Sequence, residues 1–127
     1  MKDYIQQAVQ TESLEDPLDG IYPEESHRLL HAGIGMVTEA GEFIDALKKH
    51  LYYDKDLDLT NLKEELGDIL WYMAIAMDAL DTDFDTEMRR NIDKLRVRYP
   101  NNFRVYDAEH RDLDAERMSL EAARSGD

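Results

Sequence analysis

Four carboxylates in two pairs, Glu39 with Glu42 and Glu65 with Asp68, are the side chains of this chain best suited to chemistry. Within each pair the spacing is three residues, which on a helix sets both side chains on neighbouring turns of one face. Brought together, four like charges repel. Divalent cations relieve that repulsion, since hard ions such as Mg²⁺ or Mn²⁺ take oxygen ligands and tolerate carboxylate-rich sites. The chemistry such a site serves is phosphate transfer to water: Mg²⁺ bridges phosphate oxygens, offsets transition-state charge and acidifies a bound water. A carboxylate beside the metal takes the proton.

With 29 acidic residues in the chain, either pair alone is most simply a solvated helix face. Position argues otherwise, because all four carboxylates lie beside apolar stripes rather than opposite them. The first stripe, Met36, Val37, Ala40, Phe43, Ile44, Leu47 and Leu51, recurs at three and four residues and predicts a core face on a helix from about Glu24 to Leu51. Pro23 with Glu24 and Glu25 marks its start. The second stripe, Leu62, Leu66, Ile69, Leu70, Met73, Met77 and Leu80, predicts a helix to about Leu80, with Thr60 as its cap. Two helices joined by the short polar run Asp54 to Asp58 pack antiparallel, so the two pairs are expected to face each other. Gly33, Gly35 and Gly41, each costing roughly 1 kcal/mol within a helix, are expected to allow close helix packing. His31, one to two turns before Glu39, reads as structural or solvated.

The remaining elements follow from breaks. Residues 1–12 form a short helix that ends in the segment Glu15-Asp16-Pro17-Leu18-Asp19-Gly20, an arm covering residues 1–22. A third core helix runs from about Phe84 to Tyr99, stopped by Pro100 and burying Met88, Ile92, Leu95 and Tyr99. A charged helical tail, residues 105–127, has Leu113, Met118 and Leu120 as its evident anchors. The fold expected is therefore all-α, a bundle of about four core helices over residues 23–104 with an arm and a tail. Trp71 and Ile75 project opposite the second stripe, and a helix apolar on nearly every side must be buried all round. The expected cover is another copy of the chain, giving a homo-oligomer, dimer or tetramer, through the helix that carries them.

Composition bounds the rest. A formal charge of −14 over 127 residues argues against a protein that grips nucleic acid or an anionic membrane through its overall field. No cysteine is present, so thiol chemistry and disulfides are excluded. The longest apolar run, Ile69 to Met77, is nine residues, where a bilayer span needs about 20. The N-terminus has no apolar signal core, and the expected setting is the cytoplasm.

One basic face departs from this acidity. Between Arg89 and Arg104 there are six basic residues and one acid, Asp93, and Asn91, Lys94 and Arg98 share a side of the third helix away from its core residues. They are candidates for meeting phosphate charge, because they carry donors that the acidic helices lack. At this point a resemblance is plain. Glu39-Ala40-Gly41-Glu42, followed after 22 residues by Glu65-Leu66-Gly67-Asp68, resembles the ExxE and ExxD signature of the MazG-like all-α nucleoside triphosphate pyrophosphohydrolases. Asn91-Ile92-Asp93-Lys94-Leu95-Arg96-Val97-Arg98-Tyr99-Pro100, with Phe103 beyond it, is similar to that family's later motif, and the likeness spans roughly residues 27 to 103.

The resemblance implies Mg²⁺-dependent hydrolysis of an NTP or dNTP between the α and β phosphates, giving NMP and pyrophosphate, in a helical unit often completed by a second subunit. It implies that Glu39, Glu42, Glu65 and Asp68 are catalytic and hold the metal, with Glu39 as the carboxylate that activates water. Asn91, Lys94 and Arg98 would contact the triphosphate. Tyr72, four residues past Asp68, reads equally as a wall for the sugar or base and as a tyrosine at the edge of the core. Two other functions compete. A di-iron carboxylate bundle needs Glu-x-x-His pairs on two helices, and Glu24-Glu25-Ser26-His27 supplies one. A non-enzymatic helical interaction module would use Trp71 as its anchor and leave the acids in solvent.

Overall fold

Pro23 begins the longest helix without a side-chain cap, its φ of −53° already suited to a first turn. Glu24 and Glu25 follow at the end where the peptide dipoles favour negative charge. The computed structural model describes residues 2–17 and 19–122, and among them it contains six helices and no strand: α1 Lys2–Val9, α2 Glu24–Tyr53, α3 Leu59–Ala79, α4 Phe84–Arg98, α5 Val105–Glu109 and α6 Leu113–Ala122. The all-α expectation holds. None of these helices is long and apolar enough to cross a membrane.

The chain divides into two compact units, one ending at Asp83 and the other beginning at Phe84. In the first, α2 and α3 form the principal contact. Their connection is tied down at both ends. Asp54 adopts a left-handed conformation (φ 52°) and donates its N–H to the Lys49 carbonyl. Asp58 then caps α3, its Oδ1 accepting the N–H groups of Thr60 at 2.9 Å and Asn61 at 3.1 Å. The cap is Asp58 and not the expected Thr60, because a carboxylate one residue before the helix reaches two of its orphan N–H groups at once. Gly35 lies against Tyr72, Glu39 and Glu42 beside Glu65, and Arg28 against Asp78. Numbers rise on one helix as they fall on the other, which is the expected antiparallel register.

The face carrying Trp71 and Ile75 is covered by the chain itself. Helix α1 packs on α3 with Ile5 and Ala8 buried, Ile75 has no exposed surface, and the Trp71 indole N–H donates to Thr11 Oγ1 at 2.8 Å. Arg28 ties the arm in place by donating to both Glu12 oxygens (2.9, 3.2 and 2.7 Å) and to Asp78 (2.8 Å). Those hydrogen bonds hold its guanidinium firmly in the charged form. The expectation that a second subunit covers Trp71 and Ile75 is therefore corrected: the two-turn helix of the chain's own arm lies against them.

The predicted core stripes split for a related reason. Ala32, Gly35 and Glu65 are buried, whereas Val37 (72% exposed), Ile44, Leu51, Leu66 (51%), Leu70 and Leu80 are open to solvent. Each helix carries more apolar surface than a single neighbour covers, and the contact between them runs along the edge where the small residues allow close approach.

In the second unit α4 packs on α6. The expected anchors Leu113 and Met118 are exposed, as are Met88 and Ile92 of α4 to nearly half their surface. A buried acid does the anchoring instead. Glu116, 3% exposed, accepts paired hydrogen bonds from Arg98 (2.9 and 2.7 Å) and from Arg111 (3.1 and 2.6 Å). The two guanidinium groups hold its carboxyl far below the usual carboxylate range. A buried carboxylate is tolerated when paired in this way.

Candidate active site

Glu39, Glu42 and Glu65 each offer a carboxylate oxygen, and these three oxygens lie within 4.8 Å of one another. The geometry follows from the register of α2 and α3. Glu39 and Glu42 stand on adjacent turns of α2, and Glu65, 4% exposed, sits in the contact face of α3 opposite them. Glu42 is exposed and Glu39 half-buried. The Glu39 carboxyl is pushed up from its ordinary range, first by burial, then by the negative charges of Glu42 and Asp68 and by the neighbouring Glu65 carboxyl. Asp68, exposed and one turn beyond Glu65, is close enough to act on Glu39 but lies outside the group of three.

The donor set fits a hard divalent cation. It consists of carboxylate oxygens without nitrogen or sulfur, and oxygens on opposite sides of an octahedral Mg²⁺ stand about 4 Å apart, so groups already within 4.8 Å converge on one ion with small side-chain movements. Beside the cluster is an open cleft of about 680 Å³, with Thr38, Glu42, Asn61 and Glu65 on its walls and Lys49 and Lys55 at the end nearest the helix connection. Its volume is in the range of small-molecule sites.

Three residues that the sequence reading did not single out belong to this region. Lys49 and Lys55 bring positive charge to a cleft also lined by Glu42, Asp45, Asp56, Asp58 and Glu65, although Lys49 also pairs with Asp45 at 2.6 Å. Asn61 donates its side-chain amide to Glu65 Oε1 at 2.8 Å. Its spacing of four residues before Glu65 was the one available signal.

The other predicted residues are distributed less simply. Tyr72 is half-buried, its ring laid on the backbone of Gly35 and flanked edge-on by His31 (centroids 5.6 Å) and Trp71 (5.0 Å). That is the edge-of-core placement, and it gives His31 a structural contact. Of the three α2 glycines only Gly35 serves close packing, since Gly33 and Gly41 have no neighbour within 4 Å of a side-chain position. Asn91, exposed, and Lys94, half-buried, stand one turn apart on α4 in the second unit, and neither makes an internal hydrogen bond or ion pair among the described residues. Arg98 has two of its guanidinium nitrogens engaged by Glu116.

Residues 27–103 match the MazG nucleotide pyrophosphohydrolase domain, a stretch that contains both carboxylate pairs as well as Asn91 and Lys94. A 75-residue segment is 40% identical to the Gene 37 protein of Mycobacterium phage L5, covering 55% of this chain and 65% of that relative. No solved structure matches. With more than half its length matched, and with the matched region forming a three-carboxylate cluster across two antiparallel helices, the chain belongs to the MazG nucleotide pyrophosphohydrolase family.

Proposed function

We propose that this protein hydrolyses a nucleoside or deoxynucleoside triphosphate at the α–β anhydride bond, releasing NMP and pyrophosphate, with Mg²⁺ as cofactor and Mn²⁺ as a substitute. The observation that carries this reading is the convergence of Glu39, Glu42 and Glu65 within the matched region. Bound there, the cation would supply charge neutralisation for the phosphates and a more acidic water. Glu42 and Glu65, with Asp68 at the margin, would hold it. Glu39 sits among three other carboxyl groups, surroundings that keep a carboxylate basic, and we assign it the proton of the attacking water. The water oxygen joins phosphorus, the bridging oxygen leaves with pyrophosphate, and the proton passes to Glu39. Asn91 and Lys94 would meet the remaining phosphate charge, and the setting is the cytoplasm, where such nucleotides are found.

The test is a panel of canonical and modified NTPs and dNTPs with Mg²⁺ or Mn²⁺, resolving NMP plus pyrophosphate from NDP plus phosphate. Cleavage of at least one nucleotide to NMP and pyrophosphate is expected. Absence of cleavage with either metal sinks the proposal.

We also assign this protein to a homo-oligomer, but through a different face from Trp71 and Ile75. Leu30, Ile34, Val37, Ile44 and Leu51 are all exposed on α2 at steps of four, three, seven and seven. That repeat is the seam of a helix pair, and Leu66, Leu70 and Leu80 extend the exposed apolar surface onto α3. Ile44→Asp is expected to convert the oligomer to monomer in sedimentation velocity. A wild-type chain that sediments as a monomer at tens of micromolar, on the order of ordinary assay concentrations, refutes it.

A further inference from the structure

We propose that Asn61 is a positioning residue for the candidate metal site, holding Glu65 in the orientation in which it can act as a ligand; this rests on the reading of Glu65 as one. Glu65 is nearly inaccessible to solvent. A carboxylate so placed must find hydrogen-bond donors within the protein. Asn61 Nδ2, at 2.8 Å from Oε1, is the neutral donor aimed at it, while its other close neighbours, Glu39 and Glu42, are acids.

Asn61 is itself held. Its backbone N–H is one of the two that Asp58 accepts at the start of α3, so the cap fixes the first turn. The step of four residues then carries the amide onto Glu65. The result is a continuous connection from the helix cap through Asn61 to the buried carboxylate, whose oxygen lies within 4.8 Å of those of Glu39 and Glu42. An amide suits this place. A lysine or arginine would donate equally well but would neutralise the charge that draws a cation, whereas an amide orients the carboxylate and leaves its charge intact. One oxygen of Glu65 is occupied by Asn61, which leaves lone pairs on the other for a ligand's role.

Direct Mn²⁺ binding in the absence of nucleotide, read from the electron paramagnetic resonance of free Mn²⁺, tests this with wild type, Asn61→Leu and Asn61→Gln. Removing an outer partner of a metal ligand typically weakens binding by about 10-fold to 100-fold. Asn61→Leu is therefore expected to bind Mn²⁺ about 10-fold more weakly, with helix content unchanged in circular dichroism. Asn61→Gln, which keeps the donor, is expected to lie closer to wild type than to Asn61→Leu. In turnover the Mg²⁺ concentration for half-activation should rise for Asn61→Leu while the rate at saturating Mg²⁺ stays near wild type. Equal Mn²⁺ affinity in wild type and Asn61→Leu overturns the assignment, as does a Gln variant no better than the Leu variant. If wild type itself binds no Mn²⁺, the carboxylate site falls and this assignment with it, an outcome distinct from a wild type that binds and a Leu variant that matches it.

Discussion

Glutamine at position 42 is expected to lower nucleotide cleavage by about 100-fold or more, since a lost metal contact removes several kcal/mol of transition-state stabilisation and each 1.4 kcal/mol is tenfold in rate. The fold should be indifferent to the change. Glu42 is exposed and makes no internal hydrogen bond or ion pair among the described residues, so its amide leaves nothing unpaired. In metal-free buffer the thermal midpoint is expected to be equal to or above that of wild type, because Glu42 is one of the charges that push the Glu39 carboxyl up. A carboxyl whose folded value is raised binds its proton more tightly folded than unfolded. Its presence therefore favours the folded state below the ordinary carboxylate value, near 4.3, and that advantage is lost as pH rises through the raised value. Glu42→Gln should flatten this decline. Scanning calorimetry in EDTA between about pH 4 and pH 8 reads the stability, spanning the ordinary carboxylate range, and pyrophosphate release in Mg²⁺ reads the activity. A variant of wild-type activity removes Glu42 from the metal site. One that loses activity only because it unfolds contradicts the role assigned to its exposed carboxylate.

The parts of this molecule that were legible in the sequence are those governed by local chemistry. Pro23, the polar run from Asp54 to Asp58 and Pro100 bracket helices almost where they occur, because backbone sterics act over a few residues. The two carboxylate pairs were legible because spacing along a helix fixes which side chains share a face. Periodicity cannot say what covers a face. Trp71 and Ile75 demanded cover, and the sequence could not distinguish a second copy from the chain's own α1, whose contribution is two buried residues, Ile5 and Ala8. Glu116 shows the same limit from the other side: it reads as one more acid in a charged tail, and only the approach of Arg98 and Arg111 makes it the residue that holds α6 to α4. That approach also gives two of the Arg98 guanidinium nitrogens an internal partner that its spacing did not suggest.

Alanine at Gly35 is expected to destabilise the protein by about 1–2 kcal/mol, although alanine favours a helix over glycine by about 1 kcal/mol. The two effects oppose each other, and packing decides. A methyl group at Gly35 would fall well inside contact distance of three ring carbons of Tyr72, an overlap no side chain accepts without movement. The ring has little room to yield, being half-buried with His31 and Trp71 against its edges. Overpacking of this kind costs about 1–3 kcal/mol, which exceeds the propensity gain. Gly33→Ala is the control, because no atom lies within 4 Å of its methyl position, and it should be stabilising by up to about 1 kcal/mol. Urea unfolding of the two variants separates close packing from helix propensity. In a Tyr72→Ala background, where the clash is absent, Gly35→Ala should cost less than it does in wild type. The consequence also reaches the site, since Gly35 stands one turn before Glu39 and Tyr72 one turn beyond Asp68. A shift of α2 against α3 to accommodate the methyl would carry Glu39 and Glu42 away from Glu65, so Gly35→Ala should bind Mn²⁺ more weakly even where it remains folded. If Gly35→Ala is as stable as Gly33→Ala, the close contact with Tyr72 is not what sets the spacing of the two helices.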